Sequence, residues 1–197
     1  MRLFLAAALA FLASPALADG HMSEGEGALS LERVFASPSL NGAVPRGVKL
    51  SPDGQFLTLL RNRETDAQRY DLWGYEIATG EWRMLVDSVK LGSGRELSED
   101  EKMQRERARV GNLKGIITYQ WASDGSGVLV PLDGDLYFAR LNGSVTRLTD
   151  TEESELNPKL SSKSGYVSFV RDRQLWVGKV GEEPAPITPK EGPLIRW

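Results

Sequence analysis

Lys49-Leu50-Ser51-Pro52-Asp53-Gly54, running into Gln55-Phe56-Leu57-Thr58-Leu59-Leu60, is the stretch that decides the fold. A hydrophobic residue comes first, then a turn cluster, then an apolar strand. Proline presets φ for the turn, and Asp-Gly supplies the rest of its chemistry. The arrangement comes twice more. Trp121-Ala122-Ser123-Asp124-Gly125 leads into GVLVPL (127–132), and Leu160-Ser161-Ser162-Lys163-Ser164 leads into GYVSFV (165–170). Each copy has a second half: a strand over 70–77, 135–141 or 174–180, a turn at Thr79-Gly80, Asn142-Gly143 or Gly181-Glu182, and a closing strand over 82–86, 145–148 or 186–188. Asn-Gly between two strands is a strong hairpin signal. The unit is a four-stranded antiparallel meander, and Trp121 and Leu160 stand 39 residues apart, the period of one propeller blade. The expected fold class is all-β: a partial β-propeller of about three four-stranded antiparallel blades over 29–197. The blades must stack, because one sheet cannot bury both faces. The aromatic residues Trp73, Tyr75, Trp121, Tyr137, Phe138, Tyr166, Phe169 and Trp176 fall on strands and are expected between blades.

Leu50 and Trp121 are 71 residues apart, so an insertion separates the first two copies, from about 90 to 115. Within it, Ser98 followed by Glu101 is a capping box. Glu99, Asp100 and Glu101 suit a helix start, while Arg105, Arg107 and Arg109 suit its later turns. The pattern predicts a helix over 97–110. Its chief apolar residues are Met103 and Val110, so it is expected to project from the rim. It then either stands solvated, held by pairs such as Glu101–Arg105, or docks another domain or subunit. Upstream, LSLERVF (29–35) predicts one or two helical turns with Ser30 as N-cap, ended by Ser37-Pro38.

The amino terminus reads as an export signal. Arg2 precedes an apolar run over 3–12, and Ala16-Leu17-Ala18 is an A-x-A cleavage site, so residues 1–18 are expected to be removed after Ala18. The competing reading, a buried amphipathic helix, lacks a polar face. Residues 19–28 are polar and Gly-rich and read as a disordered linker. The chain is thus expected in the periplasm or outside the cell, with no membrane attachment after cleavage. It has no cysteine, which excludes disulfides, thiolate chemistry and a lipid-anchored cysteine. The 197 residues carry a net charge of -3, which gives no basic face for nucleic acid.

Catalytic chemistry is sparse. The only histidine, His21, lies in the linker, and no G-x-S-x-G elbow is present, so the chain alone is expected to lack hydrolase activity, with catalytic residues none. Gly92-Ser93-Gly94 and Gly125-Ser126-Gly127 read as turns. Asp133-Gly134-Asp135 starts like a calcium loop but lacks the remainder, so metal and cofactor are both expected to be none. Glu152-Glu153 reads as part of a turn between blades. Arg61, Arg63 and Arg69 flank the loop over 64–68, where an arginine can grip a carboxylate or carbonyl or simply stay solvated.

The stretches LSLERVFASPSLNG, KLSPDGQFLTLL and YDLWGYEIATGEWRMLVD, with the insertion LGSGRELSEDEKMQRERARV as the most specific match, resemble the propeller start of bacterial dipeptidyl peptidase IV, a serine peptidase of the prolyl oligopeptidase type. The resemblance covers about 29–197. It implies that the chain is a fragment of an exported enzyme that releases X-Pro or X-Ala dipeptides from peptide N-termini. It also implies that an α/β-hydrolase domain carrying the triad lies beyond this chain, that a double-Glu motif following Trp197 is absent here, and that the whole enzyme can be a homodimer. Glu152-Glu153 and Glu182-Glu183 are not substitutes for that motif. The propeller of the family gates access and offers a loop arginine to the peptide substrate's carbonyl; Arg69 is the nearest counterpart. The alternative is a non-catalytic periplasmic propeller that binds proteins or peptides.

Overall fold

In a computed structural model, residues 29–36, 40, 42, 44–163 and 165–189 are described. The expected export signal, the linker with His21, and the Ser37-Pro38 helix stop lie outside them. The chain divides into two units, 1–36 and 37–197. In the first, α1 (Leu31–Phe35) starts as its sequence predicts, with the Ser30 hydroxyl accepting from the Arg33 amide at 3.2 Å.

The second unit is built of three antiparallel meanders. β1 (Arg46–Leu50), β2 (Phe56–Asn62), β3 (Arg69–Glu76) and β4 (Glu81–Val86) pair in sequence order. After α2 (Ser88–Leu91) and α3 (Glu99–Arg107), β5 (Lys114–Gly115) returns to the first sheet and pairs in parallel with the start of β3. The second sheet is β6 (Gln120–Trp121), β7 (Val128–Leu132), β8 (Asp135–Ala139) and β9 (Val145–Arg147). The third is β10 (Leu156–Leu160), β11 (Tyr166–Arg171), β12 (Gln174–Lys179) and β13 (Ala185–Pro186). The fold is a partial β-propeller, mostly β, with three four-stranded antiparallel meanders, the first joined in parallel by β5. Strands alternate their faces with period 2, so each central pair feeds two neighbours. Leu60, Leu72 and Leu85 of the first sheet meet Val128, Val130, Tyr137 and Ala139 of the second. The opposite face of the second sheet, with Leu129, Leu136 and Phe138, meets Val167 and Phe169 of the third.

A polar clasp recurs in each sheet at one register position. The triplets Asp71-Leu72-Trp73, Asp135-Leu136-Tyr137 and Gln174-Leu175-Trp176 occupy equivalent places, because Leu72, Leu136 and Leu175 pair with Leu60, Pro131 and Val170. The first residue of each triplet ties down the chain leaving the fourth strand. Asp71 accepts from the Ser88 amide at 2.7 Å, and Asp135 accepts from the Thr151 amide at 3.3 Å. Gln174 donates instead, to the Thr188 carbonyl at 2.8 Å. Arg63 neutralises Asp71 at 2.8 Å, and Arg147 neutralises Asp135 at 2.6 Å.

Several sequence expectations need correction. The inserted helix is shorter than 97–110. Ser98 is its N-cap, with both halves of the capping box formed, so Leu97 stays outside. At the other end Arg109 adopts φ 57, its amide bonds the Glu106 carbonyl, and the Val110 amide bonds the Arg105 carbonyl. That paired pattern closes a helix. Nor does the helix project. Glu101 turns away from Arg105 and accepts from Ser154 at 2.6 Å, while Arg105 is buried and donates to the Leu113 carbonyl at 2.7 Å. Tyr166 is exposed, and Trp73 and Tyr75, half-buried, likewise belong to no inter-sheet cluster. Arg63 is held between Asp71 and Asp87 and is not simply solvated.

Candidate functional site

The first strands of the three sheets lie side by side. Their equivalent positions are Lys49, Gln120 and Lys159, which pair with Thr58, Leu129 and Ser168. Each of the first two reaches the following sheet: Lys49 Nζ donates to the Tyr119 carbonyl, and Gln120 brackets Leu160, accepting from its amide at 3.1 Å and donating to its carbonyl at 3.4 Å. Tyr119 answers in the other direction. Its hydroxyl lies 2.5 Å from the Gly47 carbonyl and 2.9 Å from Thr58 Oγ1, and Trp121 Nε1 donates to the same Thr58 oxygen at 2.8 Å. Burial pushes the Tyr119 phenol up to about 12.

Beside these strands α3 borders a cleft of about 780 Å³. Lys49, Lys159, Arg105 and Arg107 supply cations around it, and Glu101, Asp133 and Glu155 supply carboxylates. Burial, and then the charge of Lys159, lower the Lys49 pKa. Glu155 is buried at the cleft wall. Its Oε1 takes Arg171 Nε at 2.8 Å and the Thr151 hydroxyl at 2.9 Å, whereas Oε2 has no hydrogen-bond partner. Burial therefore raises the Glu155 pKa above the ordinary 4.5, against the pull of Arg171 and Thr151. The folded state thus holds this proton to higher pH than the unfolded chain does. The stability it contributes is full at low pH and is lost as pH rises from the ordinary value through the raised one. Urea titration of the protein and its Glu155→Gln variant is expected to show the parent losing stability relative to the variant over the range that begins near the ordinary glutamate value of about 4 and runs upward. A relative gain over that range contradicts the buried-charge account.

Arg95 fixes the insertion over the cleft. Its guanidinium donates to the Glu152 carbonyl at 2.5 Å and to Ser154 Oγ at 3.1 Å, and it lies 3.5 Å from Glu101 Oε2. It rests on Gly134, where a Cβ would overlap it. Asp133-Gly134, with φ 50 and 84, is the tight turn joining β7 to β8, and no cluster of three or more metal-ligating side chains occurs among the described residues. Glu152 and Glu153 lie in the turn between the second and third sheets and serve Arg95 through their carbonyls.

Arg69 stands elsewhere. It opens β3 opposite Lys114, with Nε 3.9 Å from Asp66, which also meets Lys114 Nζ at 3.6 Å. It does not line the cleft. Arg61 stacks over Trp73 at 5.3 Å. Sequence reasoning missed Arg95, Tyr119 and the ladder Lys49–Gln120–Lys159. The ladder had a signal, since each member directly precedes the hydrophobic residue that opens a repeat. Arg95 had none, because the Glu152 and Glu153 carbonyls and the Ser154 hydroxyl that hold it are distant in sequence.

Among the described residues no helix is long and apolar enough to cross a membrane. No protein-family model matches the chain. A solved structure from Agrobacterium tumefaciens, provisionally designated TolB, is similar at 17% identity and a TM-score of 0.47, over 74% of this chain and 49% of that one. The chain therefore spans about half the length of that solved protein.

Proposed function

We propose that this propeller portion binds an extended peptide or protein segment in the cleft between α3 and the three first strands, and contributes binding rather than bond-breaking. The observation that carries the reading is the cleft's lining: four cationic side chains and three carboxylates around a space of about 780 Å³. Such an arrangement matches the alternating donors and acceptors of a peptide, with charges to fix its direction. The apolar run over 3–12 and Ala16-Leu17-Ala18 support export to the periplasm or beyond as its place of work. The test is fluorescence anisotropy with a panel of labelled twelve-residue peptides, with and without a free N-terminus. Binding of acetylated and free peptides alike is expected, with affinity falling about tenfold in Lys159→Glu, the cost of about one charge-assisted contact. Failure of every peptide to bind, or affinity unchanged by Lys159→Glu, overturns the reading.

A second reading rests on the resemblance of 91–110 to dipeptidyl peptidase IV. There the same module is the substrate-orienting part of a serine exopeptidase, and Arg69 holds a substrate carbonyl. It requires the reading frame to continue past Trp197 into a double-Glu segment and a G-x-S-x-G elbow. It also requires binding confined to peptides with a free N-terminus and a following proline or alanine. A frame that stops at Trp197 removes it.

A further inference from the structure

The charges around the cleft are not equally available. Its three carboxylates are already engaged within the fold. Glu101 accepts from the Ser98 amide at 3.0 Å and from Ser154 at 2.6 Å, and it meets Arg95 at 3.5 Å. Asp133 accepts from the Gly94 amide at 3.1 Å. Glu155 meets Arg171 at 2.6 Å and takes the Thr151 hydroxyl at 2.9 Å, and its side chain has no exposed surface.

The four cations are held differently. Among the described residues none of Lys49, Arg105, Arg107 and Lys159 forms an ion pair, whereas Arg63, Arg95, Arg147 and Arg171 each meet a carboxylate. Lys49 donates to the Tyr119 carbonyl, Arg105 to the Leu113 carbonyl at 2.7 Å, and Arg107 to Met103 Sδ at 3.2 Å. A carbonyl or a thioether accepts a hydrogen bond but cancels no charge. Lys159 has no partner of either kind among the described residues. The charge left open to a ligand is therefore positive.

Lys49 and Lys159 are the exposed members of the four on the strand side. They hold equivalent places on β1 and β10, on either side of Gln120 in the ladder. Burial, and then the nearby charge of Lys159, lower the Lys49 pKa. Two like charges kept close without an anion repel each other, and an anion between them relieves both.

We propose that the ligand of this cleft is an acidic peptide segment, with a carboxylate seated between Lys49 and Lys159. This rests on the peptide-binding reading and narrows it. A carboxylate offers two oxygens and takes a charge-assisted donor from each lysine. A basic segment brings like charge against four uncompensated cations, which discriminates against it.

The test is competition anisotropy on the full chain. Three twelve-residue peptides, blocked at both ends, differ only in a central Glu-Glu, Gln-Gln or Lys-Lys pair. A fourth is the Gln-Gln peptide with a free C-terminal carboxylate. The Glu-Glu peptide is expected to bind about tenfold tighter than the Gln-Gln one, with Lys-Lys weakest. A gain confined to the fourth peptide supports the proposal too, and identifies the terminal carboxylate as the source. Lys159→Glu is expected to put the Lys-Lys peptide ahead of the Glu-Glu one. Lys90→Glu makes the same charge change at an exposed residue outside the cleft and is expected to keep the parent's order. Circular dichroism checks that both variants fold. Equal binding of all four peptides, or an order that Lys159→Glu leaves unchanged, overturns the acidic assignment while peptide binding stands. Binding of none of them overturns both.

Discussion

Replacing Asp71 with alanine is expected to lower the thermal midpoint by about 10 °C, which corresponds to about 3 kcal/mol for a chain of this size. Asp71 is 1% exposed and serves two groups at once. Arg63 pairs with it at 2.8 Å, the Ser88 amide donates to it at 2.7 Å, and Arg63 in turn holds Asp87, the N-cap of α2. Alanine leaves a half-buried guanidinium with one carboxylate where it had two, and a buried amide with none. Removing one partner of a buried pair costs more than the pair contributes, because the survivor stays desolvated. Asp71→Asn keeps an acceptor for the Ser88 amide and is expected to lose about half as much, since only the charge is removed. The measurement is thermal unfolding followed by circular dichroism. A midpoint within about 2 °C of the parent for Asp71→Ala, under 1 kcal/mol by the same conversion, contradicts the clasp as a structural element.

Gly134→Val is expected to detach the insertion from the second and third sheets. Two costs combine. Gly134 has φ 84, where a β-branched residue is strained by about 1–2 kcal/mol or more. Its Cβ would also overlap the Arg95 guanidinium, which must leave Glu152, Ser154 and Glu101 together. Gly143→Val is the matched control: φ is 88, but nothing lies within 4 Å of its Cβ. Limited proteolysis separates the two costs. Both variants are expected to lose about 1–2 kcal/mol from strain, but only Gly134→Val is expected to be cut readily within 92–111. Equal cleavage of both variants argues that Arg95 does not hold the insertion down.

The strands were legible because their signals are local. Pro52-Asp53-Gly54, Ser123-Asp124-Gly125 and Asn142-Gly143 each state a turn within a few residues, and the apolar runs between them admit few alternatives. The Ser98–Glu101 box placed the start of α3 for the same reason. Its end was misjudged, because a helix that closes on Arg109 in the left-handed region shows no glycine to mark it. Its position was misjudged too. A polar helix predicts projection into solvent, but Glu101 and Arg105 find partners at Ser154 and Leu113 that lie outside the helix. α2 and β5 were missed for want of length. The cleft was illegible as a site because its cations come from β1, α3 and β10. The repeat placed Lys49 and Lys159 in register, yet nothing in it placed Arg105 beside them.

The insertion leaves the first sheet at Val86, crosses to Ser154 through Arg95 and Glu101, and comes back to the first sheet at β5. In a stack of repeats each unit ordinarily exchanges energy only with its neighbours, so an end unit can peel away alone. Here a single loop laces the first sheet to the turn that enters the third. Peeling the third sheet strains the lacing, and loosening the first sheet slackens it. The three sheets are thereby expected to unfold as one cooperative block, with the region that interrupts the repeat as the tie between its ends.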